Sequence, residues 1–172
     1  LDMGKIHGDQ GALIYGSVTS INCLTVVLFT PLITKLFRKK SDLERIENGI
    51  FLVLAGYGLF VLCKGFIPAY YLVMTIFTWG EIFVTISMDS YITQRIPSSH
   101  TGRIISLSNI LQGFATGSYQ MGIGFLYDHD GSTFTWIVII LTGLISLVLI
   151  NFIRLRDRKK YAGIYERRHA AD

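Results

Sequence analysis

The stretch "FTWIVIILTGLISLVLINFI" runs from Phe134 to Ile153 and contains no Asp, Glu, Lys or Arg. A bilayer core about 30 Å thick is crossed by a helix of roughly 20 mostly apolar residues. This segment has that length and that composition, so it predicts a transmembrane helix.

The whole chain has a matching composition. Of its 172 residues 51% are hydrophobic and 16% are charged, whereas soluble domains carry about 25% charged residues. The net charge of +4 does not indicate nucleic-acid binding, because the basic residues lie between apolar runs and do not interleave with aromatic residues. Two cysteines inside apolar runs predict neither a disulfide framework nor a metal site. We therefore expect a membrane protein.

Four further stretches are long and apolar enough to span a bilayer. The predicted fold is an all-α membrane protein, a bundle of five transmembrane helices within 12–154. An extracytoplasmic loop, 1–11, precedes the bundle, and a basic cytoplasmic tail, 155–172, follows it. The five spans run approximately over Ala12–Leu36, Ile46–Cys63, Ala69–Ile92, Ile104–Tyr127 and Phe134–Ile153.

Charge between the spans predicts the orientation. Lys and Arg accumulate on the cytoplasmic side of membrane proteins. Among 16 such residues, only Lys5 and Lys64 fall on the side of the first loop, and all others fall in the alternate loops and the tail. We expect the amino terminus outside and the carboxyl terminus inside, in a cell or inner membrane, with the basic tail against anionic lipid.

The segment "QRIPSSHTGRIISLSNILQGFATGSYQMGIGFLYDHDG" resembles the tenth-to-eleventh helix region of the major facilitator superfamily. The resemblance rests on the pair Gly102-Arg103 after Pro97, on a glycine-rich helix, and on the closing Asp128. Upstream, "WGEIFVTISMDSYI" resembles the tenth helix of drug/proton antiporter-like members, in which a Gly-Glu pair recurs. The order of segments corresponds to helices eight to twelve of the family.

That resemblance implies the carboxy-terminal part of a twelve-helix carrier. The missing amino-terminal portion, which includes the amino-terminal half, would hold seven further spans, and the chain begins at Leu1 rather than Met. The implied activity is secondary active transport of a small solute by alternating access, coupled to protons, with no cofactor. Two six-helix halves would move around a site near the middle of the membrane.

Glu81 lies near the middle of the third predicted span. A charged carboxylate there costs roughly 2.5 to 3.5 kcal/mol on insertion scales, so such residues usually face a bundle interior or an aqueous cavity. In a carrier Glu81 would bind and release the coupling proton. The alternative is a protonated or paired glutamate that joins two helices.

Asp89 follows Glu81 by about two helical turns on a similar face. It could pair with Lys35 or Arg38 in a charge latch, or it could be a solvated residue at the helix end. The family's loop signature is only partly present in "TPLITKLFRKK", where Thr34 occupies the acidic position and Phe37 a glycine position. This departure from the family signature favours the interpretation of Asp89 as a solvated residue at the helix end.

Two further sets of residues complete the predicted site. Gly113 and Gly117 form a GxxxG pattern that is typical of close helix packing. Polar and aromatic side chains that could face a substrate cavity are Asn22, Trp79, Gln112, Tyr119 and Gln120. Hydrogen bonds between helices would explain the presence of the polar residues nearly as well as a substrate cavity would. Contacts with lipid or with neighbouring helices would explain Trp79. Trp136 is expected to anchor the outer interface.

Other functions have little support in the sequence. No catalytic motif or nucleotide-binding turn is present, so we do not expect an enzyme. The segment "YDHDG" is typical of a turn rather than a metal site. The alternative to a carrier is a non-transporting helical anchor or assembly subunit that binds partner helices through its glycine pattern.

Overall fold

A computed structural model describes residues 10–37, 40–63 and 66–160. These residues form α1 (Gly11–Leu36), α2 (Asp42–Leu62), α3 (Ile67–Thr93) and α4 (Thr101–Lys160), with a short 3-10 helix at Ser98–His100. All four long helices are long and apolar enough to cross a membrane. Most of the predicted amino-terminal loop and the tail from residue 161 onward lie outside the described residues, whereas 155–160 continue α4.

The prediction of five separate helices is not matched, because the fourth and fifth predicted spans both lie in α4. The predicted loop between them, "DHDGST", is helical except at Gly131, where φ is 78° and ψ is 177°. Glycine adopts this backbone conformation without the steric cost that a Cβ imposes. We name residues 101–130 the first arm of α4 and residues 132–160 the second arm.

The two arms fold back on each other at Gly131. A straight helix would carry Asp157 about 84 Å from Thr101 at 1.5 Å per residue. Asp157 instead binds the side chain of Arg95, with Oδ1 at 2.9 Å from Nε and Oδ2 at 2.5 Å from Nη2. Since Arg95 precedes Thr101 by six residues, which span at most about 22 Å, the chain must reverse direction.

A capping box begins α2. The Ser41 hydroxyl accepts a hydrogen bond from the backbone N–H of Glu44, and the Ser41 N–H donates to the Glu44 carboxylate, both at 3.3 Å. These bonds satisfy two donors that a helix start otherwise leaves unpaired. The helix therefore starts at Asp42, four residues before Ile46, where the second predicted span begins.

Helices α2 and α3 pack closely against each other at Gly49 and Gly80. A Cβ added to Gly80 would lie 2.7 Å from the carbonyl oxygen of Gly49, and one added to Gly49 would lie 2.8 Å from that of Gly80. Buried apolar residues on either side of this crossing form two clusters. The first contains Ile14, Val18, Phe60, Tyr70 and Val73, and the second Ile33, Ile82 and Phe83.

The first arm of α4 is largely exposed. Its apolar side chains include Phe114, which is 76% exposed, and Met121, which is 82% exposed. A Cβ at Gly113 or Gly117 would meet no atom within 4 Å among the described residues. The predicted packing role of this glycine pair therefore stays a prediction.

Candidate functional site

Glu81 lies near the middle of α3 and is linked to α1 by Asn22. The Asn22 side-chain amide donates to Glu81 Oε2 at 2.7 Å and to the Thr78 hydroxyl at 2.9 Å. Thr78 and Glu81 are three residues apart and so share one face of α3. The Thr78 hydroxyl in turn donates to the backbone carbonyl of Met74 at 2.7 Å. Asn22 is thus held by two acceptors, and one of them is the half-buried carboxylate.

Beside Glu81 lies a cavity of about 670 Å³. It lies between α2, α3 and the two arms of α4, on the side of Glu81 nearer to Gly131. Its lining residues are Tyr57, Glu81, Thr116, Tyr119, Gln120, Ile123, Gly124, Tyr127, Asp128, Thr135, Trp136 and Ile139. We refer to this space as the Glu81 cavity.

Most of the lining comes from single faces of the two arms. In the first arm, Thr116, Gln120, Gly124 and Asp128 repeat at intervals of four residues, as one helix face requires. The fold at Gly131 then brings the second arm against the same space. The sequence contains this periodicity, which could have added Asp128 to the predicted site.

Aromatic rings form much of the remaining wall. The rings of Tyr57 and Trp136 have centroids 6.0 Å apart at an angle of 62°, and Tyr57 also contacts Phe77 edge to face at 5.1 Å. These distances fall in the range of favourable aromatic pairs. Trp136, which the sequence predicted as an interfacial anchor, lies at the cavity.

The predicted cavity residues divide into two groups. Tyr119 and Gln120 line the Glu81 cavity, and Asn22 contacts Glu81 directly. Trp79 is 37% exposed and packs against Phe29 at a centroid distance of 5.4 Å, away from the cavity lining. Gln112 is exposed on the first arm and does not line the cavity either.

The residues of the predicted charge latch are not brought together in the described part of the chain. Lys35 and Asp89 are both exposed, and no ion pair joins them there. Arg38 lies outside the described residues, so its part in a latch stays a prediction.

Ion pairs form instead between α2, α3 and the second arm, at the end away from Gly131. Arg95 binds Asp157 through two nitrogens, and the Tyr91 hydroxyl donates to the same carboxylate at 3.1 Å. Arg154 pairs with Glu47, and Arg158 pairs with Glu44 at 2.7 Å. We call this the ion-pair end. Sequence reasoning missed these pairs, because only the fold at Gly131 brings the end of α4 to the start of α2.

No group of three His, Cys, Asp or Glu side chains in the described residues could hold a metal ion. His129, in the segment "YDHDG", stacks on Phe125 with ring centroids 4.1 Å apart. The chemistry that the site offers is therefore that of one carboxylate inside the bundle, a second near the fold at Gly131, hydroxyls, amides and aromatic faces.

Comparisons with protein-family models, with curated proteins and with solved structures found no match for this chain.

Proposed function

We propose that this chain is part of a secondary transporter of the major facilitator type, and that it binds a small solute in the Glu81 cavity. The observation that supports this most is a polar and aromatic cavity beside a carboxylate at the middle of an apolar helix. Ionisable residues at such positions usually mark pathways for solutes or protons, because burying them is costly without a role. The remaining part of the solute site would come from the amino-terminal half of the carrier.

Glu81 is the proposed site of proton coupling. In the described arrangement its Oε2 accepts the Asn22 amide N–H, as a charged carboxylate does. A proton placed on Oε2 would compete with that N–H, so the bond between α1 and α3 would weaken or move to the other oxygen. Protonation would in this way change a contact between two helices, which is what coupling to alternating access needs.

The ion-pair end is the proposed cytoplasmic end, in a cell or inner membrane. It contains Arg95, Arg154 and Arg158, and Lys and Arg residues favour the cytoplasmic side. The Glu81 cavity then lies between the middle of the bundle and the outer surface. A solute would enter it from outside, and the ion pairs would hold the cytoplasmic ends of α2, α3 and α4 together.

Transport in proteoliposomes tests this proposal. The native full-length protein would be reconstituted, and the movement of cationic, neutral and anionic solutes would be followed with and without an imposed pH gradient. We expect at least one class of solute to move faster with the gradient. Glu81→Gln should remove that dependence, because the amide cannot bind and release a proton.

Asp130→Asn is the matched control, since Asp130 is exposed and lies outside the cavity lining. This variant should keep the gradient dependence of the native protein. A gradient effect that survives in Glu81→Gln would reject the coupling role. The absence of movement for every class of solute would reject transport.

The alternative, an anchor or assembly subunit, is favoured by the exposed first arm of α4. Phe114 and Met121 present apolar surface there, and Gly113 and Gly117 have open space beside them. A stable complex with an unrelated membrane protein, together with no transport in vesicles, would support this alternative.

A further inference from the structure

The second arm of α4 presents two opposite faces at the ion-pair end. One face is turned toward the bundle, where Arg154 and Arg158 pair with carboxylates of α2. Asp157 lies between them in the sequence and binds Arg95. The charges on this face are therefore compensated within the bundle.

Arg156 and Lys159 lie on the opposite face. At about 100° of rotation per residue, Arg156 is turned about 160° away from Arg154, and Lys159 follows Arg156 by three residues on the same face. Both side chains are exposed, and neither forms an ion pair with another described residue. Two positive charges therefore point away from the bundle.

The same face continues into the apolar part of the second arm. Ile145, Leu149 and Phe152 precede Arg156 at the alternating intervals of four and three residues that one helix face requires. Their side chains are 58%, 55% and 51% exposed. These three apolar residues, with Arg156 and Lys159, form what we call the lateral stripe. It joins an apolar surface to a charged end.

The lateral stripe has the dimensions of one lipid leaflet. Ile145 lies near the middle of the apolar segment 134–153, and Arg156 follows it by about 16 Å along the helix axis. Half of a bilayer core is about 15 Å thick. With Ile145 near the midplane, Arg156 therefore lies at the level of the lipid headgroups. This is the proposed cytoplasmic end, and the cytoplasmic leaflet carries anionic lipids.

A ring of the same stripe orients the guanidinium of Arg156. Its central carbon lies 4.4 Å from the centroid of the Phe152 ring. Stacking on a ring holds the planar guanidinium and leaves its N–H groups for a partner at the edge of the plane. A phosphate accepts two such N–H groups at once, and the Lys159 ammonium adds a point charge about one turn away. The charged end of the stripe therefore has the geometry that phosphate binding needs.

We propose that the lateral stripe binds an anionic phospholipid, with its phosphate at Arg156 and Lys159 and one acyl chain along Phe152, Leu149 and Ile145. This site differs from a general attraction of the basic tail to the membrane, because it depends on two particular charges and on one helix face. It does not depend on transport.

The test compares two lipids that have the same dioleoyl chains, phosphatidylglycerol, which is anionic, and phosphatidylcholine, which is zwitterionic. Each would be titrated into the native full-length protein in detergent micelles, and bound lipid would be counted by native mass spectrometry. We expect phosphatidylglycerol to bind at least tenfold more tightly. Glycerol phosphate, which has the phosphate but no chains, should not displace it at equal concentration.

A pair of double variants separates the site from the tail. Arg156→Gln with Lys159→Gln should weaken phosphatidylglycerol at least tenfold, since each basic residue near the surface contributes about fivefold. Arg167→Gln with Arg168→Gln removes the same charge from the tail and should weaken it less than twofold. Both residues of the first pair are exposed and lack ion pairs with described residues, so their loss should leave the unfolding transition unchanged.

Phe152→Leu tests the ring, because it keeps an apolar side chain under Arg156 and removes the stacking surface. It should weaken phosphatidylglycerol severalfold and leave phosphatidylcholine unchanged. Phe114→Leu is the matched control, since Phe114 is an exposed ring on the first arm. It should change neither lipid.

Four results would overturn the proposal. The two lipids would bind equally, or the two double variants would lose the same affinity, which would leave only general attraction. Glycerol phosphate would displace phosphatidylglycerol as well as the intact lipid does, which would indicate a site for soluble phosphates. A stable dimer of the chain would form and prevent lipid binding, which would make the lateral stripe a protein interface.

Discussion

Substitution of Gly80 by alanine should destabilise the bundle through a clash between α2 and α3. The added Cβ would lie 2.7 Å from the Gly49 carbonyl oxygen and 2.8 Å from both the backbone nitrogen and Cγ2 of Val53. Ordinary contacts of a Cβ begin at 3.4 Å, so the helices must separate by about 0.7 Å, judged from the shortest contact. Overpacking of this kind costs about 1 to 3 kcal/mol, and backbone atoms cannot rotate away as side-chain atoms can.

Gly113→Ala is the matched control, because a Cβ there meets nothing within 4 Å. Both substitutions gain up to about 1 kcal/mol from the higher helix propensity of alanine, and this gain cancels when the two are compared. We expect Gly80→Ala to be less stable than Gly113→Ala by about 1 to 3 kcal/mol. Gly143→Ala should fall between them, because the three atoms nearest to the added Cβ all belong to the flexible side chain of Leu54.

The assay is reversible unfolding in mixed micelles by titration with sodium dodecyl sulfate, followed by circular dichroism. Equal free energies of unfolding for Gly80→Ala and Gly113→Ala would refute the close crossing of α2 and α3. A lower stability of Gly113→Ala would instead mean that the first arm packs closely against a partner in the native protein.

Four further substitutions test other parts of the fold in the same unfolding assay. Asp157→Asn should cost about 3 kcal/mol, because it removes the charge of a buried carboxylate that Arg95 binds through two nitrogens. Glu44→Gln should cost less than about 1 kcal/mol, because its pair with Arg158 is partly exposed. Similar losses for the two variants would contradict this ranking. Gly131→Ala should cost about 1 to 3 kcal/mol through backbone strain at positive φ, and an unchanged free energy of unfolding would argue against the fold between the arms. Ser41→Ala should cost about 1 kcal/mol by removing the cap of α2, and a neutral effect would show that the capping box contributes nothing.

The helical class and the long apolar segments could be predicted from the sequence, because hydropathy over about 20 residues depends on local composition alone. The number of separate helices could not be predicted from the sequence. "DHDGST" has the composition of a loop, yet Gly131 alone accommodates the reversal and its neighbours keep helical geometry.

The candidate site was predictable to a similar extent. Glu81 stands out as an isolated carboxylate in an apolar run, and Asn22 as a polar residue that needs a partner, so the sequence indicates both. It does not indicate that they contact each other. Trp136 was assigned to the membrane interface from its position near a helix end, and its contact with Tyr57 depends on how α2 and the second arm pack.

The close crossing of α2 and α3 lies at two glycines that the sequence analysis does not single out, and the packing role predicted for Gly113 and Gly117 stays a prediction. GxxxG is a local pattern, and it predicts close helix packing at Gly113 and Gly117. Gly49 and Gly80 lie on different helices and form no motif in the sequence. Their contact follows from the three-dimensional crossing of α2 and α3, which no local window contains.

The most direct measurement of the proposed alternating access is the accessibility of a single cysteine in the Glu81 cavity. Thr116→Cys would be introduced into the native full-length protein with Cys23, Cys63 and any other native cysteine replaced by serine, in right-side-out and in inside-out vesicles. A membrane-impermeant maleimide would be added under opposite pH gradients. We expect labelling from both sides, with the faster side changing with the gradient. Labelling from one side alone under every condition would contradict alternating access through this cavity.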